Sequence, residues 1–181
     1  MPGFFVGGPV GGKDVLAYTG IKGGGFFMTE QIQIVMPAHV NGVYRLFGGQ
    51  LMAWIDVVAS VAARRHCGLQ VITAVVDGLD FLSPVYLNDL LVIQASVTWT
   101  GNTSMEVQVK TFVEQAEGHR DLVNLAYLVM VAVDQSNQPA AVKPFLPQTQ
   151  EQKEQWEAAV ERRQWRLANR RRFTQEISAP K

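Results

Sequence analysis

Apolar and polar residues alternate across Gln31-Ile32-Gln33-Ile34-Val35-Met36, a period of two that predicts a β-strand ended by Pro37. The turn-rich loop that follows holds Asn41-Gly42 and Phe47-Gly48-Gly49, where glycines admit positive φ or a close approach of backbone to another molecule. From Gln50 to about His66 the chain lacks proline and glycine and is rich in Leu, Met and Ala. A run of about 17 such residues is too long for a strand and predicts the principal helix. Leu51, Met52, Trp54, Ile55, Val57, Val58, Val61 and Ala62 occupy nearly every side of it, so it is expected to be enclosed by protein. Arg64, Arg65 and His66 complement the helix dipole in the last turn, and Gly68 stops the helix.

Four stretches rich in Val, Ile, Thr and aromatics follow, at 71–81, 90–99, 104–113 and 122–133. Pro84 with Asn88-Asp89, then Thr100-Gly101-Asn102, then Glu117-Gly118 separate them. One strand, one buried helix and four strands joined by short loops predict an α+β fold of the hotdog type. Its antiparallel sheet of five to six strands wraps around one long central helix. A second helical pattern over 148–172 is polar and charged, with Trp156, Val160 and Leu167 among few apolar positions, and reads as an appendage rather than core. The chain therefore divides into a flexible glycine-rich extension (1–27), the hotdog domain (28–147) and a charged C-terminal helix and tail (148–181).

Composition narrows the class. A chain of 181 residues suits one domain, and 48% hydrophobic with 18% charged residues is a globular balance rather than a disordered or fibrous one. A formal net charge of zero gives no general attraction to nucleic acid or membrane surfaces. The single cysteine, Cys67, excludes an internal disulfide framework and a multi-cysteine metal site, and fits a reducing cytoplasm. No stretch approaches the roughly 20 apolar residues that span a bilayer. Segment 1–27 lacks the basic start and apolar run of a signal peptide, and Met28-Thr29-Glu30 is a natural beginning for the folded part.

Asp56 is the chemical anomaly in the helix. An unpaired carboxylate taken out of water is costly or becomes protonated, and apart from Gln50 and the indole of Trp54 the only other hydrogen-bonding side chain between Gln50 and Ala63 is Ser60. Two readings stand: a structural aspartate that accepts hydrogen bonds from a neighbouring loop, or a general base. Gly48 and Gly49 add free backbone amides at the helix start, suited to a developing oxyanion or to a tight entry turn. Seven residues separate Gly49 from Asp56, about 10 Å along a helix axis, too far for both to touch one reacting carbon. If both act, two subunits share each site.

Asn41-Gly42, Phe47 to Met52, Trp54-Ile55-Asp56, Arg65-His66, Val71 to Asp77, Phe81 to Val85 and Thr100 to Val107 together resemble the hotdog acyl-CoA thioesterases related to brain acyl-CoA hydrolase, over roughly residues 30–147. The resemblance implies hydrolysis of fatty acyl-CoA to free acid and CoA by paired hotdogs, assembled as a homodimer and further into a trimer of dimers. It places the catalytic asparagine at Asn41 and the aspartate at Asp56, with the Gly49 amide polarising the thioester carbonyl. Neither metal nor nucleotide cofactor is called for, since a thioester is already activated. Gly48, Arg65, His66, Gly101, Thr103 and Ser104 are the candidate CoA contacts. Against this, Gly101 to Ser104 also reads as an ordinary hairpin turn, Arg64 to His66 as helix-capping cations, and Asn41 as a turn former before Gly42. Asp77 and Phe81 match the family as a polar strand contact and a core aromatic. His39 and His119 show no spacing that suggests a metal or a nucleophilic triad.

Arg162, Arg163, Arg166, Arg170, Arg171 and Arg172 crowd the second helix with no acid between Glu161 and Glu176. Such a run reads as a solvated face, as packing on a neighbouring subunit or as attraction for CoA phosphates rather than as a nucleic-acid site. Two rival functions share the fold: an acyl-CoA-binding sensor without turnover, and an acyl-CoA hydratase or dehydratase, which would call for an aspartate and histidine pair in a motif this chain does not show.

Overall fold

The computed structural model describes the backbone of residues 28–178 and the side chains of residues 28–169. The extension 1–27 and the side chains of Arg170, Arg171 and Arg172 lie outside the described residues. Strand β1 (Thr29–Ile34) leads through a 3-10 turn at Pro37–His39 to helix α1 (Gly48–Cys67). Strands β2 (Gln70–Phe81), β3 (Leu90–Thr100), β4 (Ser104–Glu114) and β5 (Arg120–Val133) follow, and helix α2 (Gln150–Ser178) ends the described chain. The five strands form one sheet in the order β1-β3-β4-β5-β2, every neighbouring pair antiparallel. This is the hotdog arrangement that the order of elements predicts.

Alternation along the strands separates two faces. Ile93, Ala95 and Val97 of β3, Met105, Val107 and Val109 of β4, and Ala126, Leu128, Met130 and Ala132 of β5 point inward and bury completely or nearly so. Against them α1 sets Leu51, Ile55, Val58, Ala59, Ala62 and Ala63, the three- and four-residue spacing of one helical face. Burying each large aliphatic of this set contributes about 1.5–3 kcal/mol. The alanines at the C-terminal half let the helix lie close on the sheet. Gly68 ends α1 with φ 74° in the left-handed region, its N–H donating to the Arg64 carbonyl at 2.8 Å.

Two expectations fail here for one reason. The helix is enclosed on one side only: Met52 is 43% and Val57 46% exposed. Phe81 is no core aromatic either, being 54% exposed. A five-stranded sheet covers one side of a helix, and β2 is an edge strand that exposes Ile72, Val75 and Val76 in addition. The sequence made these positions apolar, but this chain alone does not cover them.

Helix α2 is likewise not an appendage. It lies on the outer face of the sheet, where Ala159 is fully buried and Gln155 accepts a hydrogen bond from Gln108 at 2.9 Å. Glu106, on the outward register of β4, is completely buried beneath it. Arg162 and Arg166 reach Glu106 at 2.7 and 2.8 Å, Arg166 also reaches Asp77 at 2.6 Å, and Thr98 donates to Glu106 at 3.0 Å. The Arg162 guanidinium also stacks on the Tyr127 ring, 3.8 Å from its centroid. Desolvation works against the Arg166 cation, but its hydrogen bonds and attraction to Asp77 and Glu106 outweigh that and hold its pKa above the usual arginine value. Two of the arginines expected on a solvated face thus fasten the helix to its own sheet.

Removing the cations leaves Glu106 buried without a counter-charge. The double variant Arg162→Ala/Arg166→Ala is expected to lose about 3–5 kcal/mol of unfolding free energy, the cost of stripping a buried ion pair of one partner. Urea unfolding at fixed protein concentration reads this; a loss below about 1 kcal/mol would show that the cluster does not hold α2 down.

Candidate active site

The loop from Val40 to Phe47 is built around Asn41. Its backbone N–H donates to the Arg45 carbonyl at 2.8 Å and its carbonyl accepts from Tyr44 at 2.9 Å. Its side-chain Oδ1 accepts from the N–H groups of Val43 at 3.0 Å and Arg45 at 3.2 Å. The loop ends are tied down by Leu46 N–H to the Val85 carbonyl and Phe47 N–H to the His39 carbonyl, both 2.8 Å. Tyr44 sits at φ 58°, a strained position for a bulky residue that these bonds sustain. Because two backbone donors fix which end of the carboxamide is oxygen, the NH2 end is the free one: among the described residues it makes no hydrogen bond. Asn41 is thus a turn former through its oxygen and an available donor through its nitrogen.

Helix α1 starts immediately after this loop. Phe47 supplies no side-chain cap, the first turn carries no acid, and the Phe47 carbonyl accepts from Gln50 and Leu51. The N–H groups of Gly48 and Gly49 have no acceptor among the described residues, so two amides and the positive end of the helix dipole face outward. Both glycines keep the helix start in close contact with aromatic rings: a Cβ on Gly48 would lie 3.2 Å from the Phe81 ring, and one on Gly49, 2.5 Å from the Phe47 ring, would force that ring to shift.

Asp56 lies two turns further along, half-buried rather than sealed in the core. It faces β2, where the Thr73 hydroxyl donates to Oδ1 at 2.5 Å and also contacts the Met130 sulfur at 3.4 Å. Thr73 pairs with Met130 in the β2–β5 ladder, and the register shifts immediately after it. A bulge there turns the strand next to the carboxylate. Thr73 is a candidate site residue that the sequence does not single out. Its signal was faint: the one hydroxyl in the apolar run Val71 to Val76, a residue type that strand propensity alone explains.

The candidate positions separate into two ends of the protomer. Asn41, Gly48 and Gly49 gather at the start of α1; the cleft that Asn41 lines does not include Asp56. Arg65 and His66 sit at the other end of this 20-residue helix, about 25 Å away. There Arg65 donates to the Thr29 hydroxyl at 3.2 Å, and His66 Nε2 donates to the Lys143 carbonyl at 2.9 Å. The Gly101 to Ser104 hairpin reaches the same region, since Val142 N–H donates to the Asn102 carbonyl and Ala132 N–H to that of Thr103, both 2.9 Å. Gly101 N–H closes the turn on the Ser104 carbonyl at 2.7 Å, and a Cβ on Gly101 would lie 2.7 Å from the Trp99 ring. Arg64, Arg65, Leu69, Gln70 and Asp134 line an open cavity of about 620 Å³ at this end. Among the described residues no three His, Cys, Asp or Glu side chains gather as a metal site.

Comparison with known proteins agrees with this architecture. Residues 45–118 match the model of the thioesterase superfamily. An uncharacterized acyl-CoA thioester hydrolase of Bacillus subtilis, YkhA, is 39% identical over 145 residues, 80% of this chain and 84% of that one. The acetyl-coenzyme A thioesterase of Mus musculus is 32% identical over 142 residues, which are 78% of this chain but only 26% of the mouse protein. The chain belongs to the acyl-CoA thioester hydrolase family of the thioesterase superfamily. Among solved structures, an acyl-CoA hydrolase from Staphylococcus aureus in complex with coenzyme A superposes with a TM-score of 0.80 at 34% identity, covering 83% of this chain and 90% of that one. That enzyme has been crystallised as three alanine variants, of an asparagine, an aspartate and a threonine, spaced fifteen and then seventeen positions apart. A hexameric acyl-CoA thioesterase superposes with a TM-score of 0.75 at 38% identity, covering 78% of this chain and 92% of that one.

Because its oxygen pins the loop, Asn41→Ala is expected to lower stability by about 1–2 kcal/mol, two hydrogen bonds' worth, and Tm by several degrees. Asn41→Asp keeps the acceptor and should leave Tm nearly unchanged. Equal losses in the two variants, followed by thermal unfolding, would contradict the pinning.

Proposed function

We propose that the protein hydrolyses the thioester of fatty acyl-CoA to the free fatty acid and CoA, with Asp56 as general base. The observation that carries this reading is the pairing of Asp56 with Thr73. A hydroxyl donating to one carboxylate oxygen fixes the carboxylate and leaves its other oxygen to take a proton from water. Asn41, Asp56 and Thr73 stand at the same spacing as the asparagine, aspartate and threonine replaced in the S. aureus enzyme. The water oxygen bonds to the thioester carbon as its proton passes to Asp56, and the C–S bond then breaks as Asp56 returns that proton to the leaving sulfur, which regenerates the carboxylate. The Gly49 amide, with the Gly48 amide beside it, carries the charge on the carbonyl oxygen, and the Asn41 NH2 donates to the carbonyl or to the water. No metal or cofactor has a step to perform, because the thioester carbon is already electrophilic.

The site is assembled by two copies. Asp56 and the Gly49 amide lie about 10 Å apart on one helix, so the amides and Asn41 of one subunit work with Asp56 and Thr73 of the other. The edge strand β2 supports this reading, since its outward backbone and the exposed Ile72, Val75, Val76, Met52 and Val57 are what a second copy would cover. The hexameric relative is consistent with three such dimers. CoA then runs toward the far end of the helix that supplies Asp56, where Arg65 lines the open cavity and, with His66 and the Gly101, Thr103 and Ser104 turn, can meet pantetheine and phosphates.

A thiol-release assay over acyl-CoAs of increasing chain length should show turnover; no release from any of them at micromolar enzyme would overturn the enzyme reading in favour of a binding protein. Asp56→Ala is expected to reduce kcat by about 10²-fold or more. Thr73→Val, which keeps the shape and deletes the donor, should cost roughly tenfold, one hydrogen bond's worth. Full activity in either variant removes that residue from the mechanism.

A further inference from the structure

A cleft of about 350 Å³ opens beside Asn41, lined by Asn41, Arg45, Leu46, Leu51, Phe81 and Val85 among others. Its volume is at the lower end of the roughly 300–1,000 Å³ of small-molecule sites. Fully buried Leu51 and nearly buried Val85 form an apolar floor, and the Phe81 ring that packs on Gly48 forms a wall shared with the start of α1. Arg45 is the one formal charge on this cleft. It forms no ion pair among the described residues, its guanidinium lying 6.0 Å from the centroid of the exposed Tyr86 ring.

We infer that this cleft is the acyl subsite and that Arg45 selects acyl groups that end in a carboxylate. The inference rests on the proposed placement of the thioester at Asn41. With CoA running toward the basic end of the partner's helix, the other side of the thioester carbon has the Asn41 cleft to enter. An unbranched saturated acyl group would fill the apolar floor and leave the cation unpaired. A monothioester of a dicarboxylic acid fills the same floor and gives the guanidinium a bidentate acceptor. The backbone of Arg45 is held on both sides, its N–H by the Asn41 side chain and its carbonyl by the Asn41 N–H, so the stem of the side chain starts from a fixed point beside the cleft.

Equal-length pairs test this: butyryl-CoA against succinyl-CoA, and hexanoyl-CoA against adipoyl-CoA. The ratio of kcat/KM, carboxylated over plain, is expected to exceed one by roughly tenfold in at least one pair and to shrink with added salt. Arg45→Ala should bring that ratio down to about one, Arg45→Lys should keep part of it, and Arg45→Glu should push it below one. A wild-type ratio at or below one in both pairs overturns the inference. So does an equal loss on both members of each pair in Arg45→Ala, which would place a CoA phosphate on Arg45. In both cases turnover of butyryl-CoA leaves the thioesterase reading intact; absence of turnover with all four substrates overturns the inference, and the thioesterase reading falls with it only where longer acyl-CoAs also release no thiol.

Discussion

The rise of an α-helix, about 1.5 Å per residue, sets the scale on which this protein is built. The amides that can meet a developing oxyanion are at the first turn of α1, where Gly48 and Gly49 leave them without acceptors. The carboxylate that can take a proton is two turns on, held by Thr73. A single thioester carbon cannot touch both ends of that separation on one rigid rod. Either one of the two groups is idle, or a second copy of the helix brings its carboxylate to the first copy's amides. The distribution of apolar surface favours the second alternative, because Met52 and Val57 of α1 and Ile72, Val75 and Val76 of β2 remain exposed in the protomer.

The two faces of the sheet solve different problems. The inner face carries α1 through aliphatic packing, with Ala59, Ala62 and Ala63 buried in the C-terminal half of the helix. The outer face is polar in pattern and is covered by α2 through charge: Glu106 is buried between Arg162 and Arg166, with Asp77 and Thr98 completing the cluster. A buried carboxylate of this kind fixes position more than it adds stability, since its desolvation offsets much of its attraction. Its placement on the outer face keeps it apart from the inner-face chemistry of Asp56.

The fold was legible in the sequence because periodicity changes cleanly, from two in the strands to a long unbroken apolar run in α1. Asn41, Asp56 and the paired glycines were legible because each breaks a local pattern: a carboxylate among aliphatics, or glycines where a helix begins. Thr73 was not, since a threonine in a strand breaks no pattern and its role lies entirely in a contact with a residue seventeen positions away. The arginines of α2 misled for the complementary reason. A run of like charges looks solvated until its counter-charge is found, and Glu106 lies in an alternating strand where an outward acid is ordinary. Phe81 misled in a third way, because an aromatic residue in a strand signals burial, while Phe81 ends an edge strand and stays half-exposed in the protomer.

In the proposed dimer each site draws Asn41 from one subunit and Asp56 from the other. Co-expression of differently tagged Asn41→Ala and Asp56→Ala chains, each expected to be strongly impaired alone, tests that division directly. In a mixed dimer one of the two shared sites regains both residues, so random assortment of chains should restore about a quarter of the wild-type thioester-hydrolysis rate. Activity no higher than that of either variant alone would contradict a shared site.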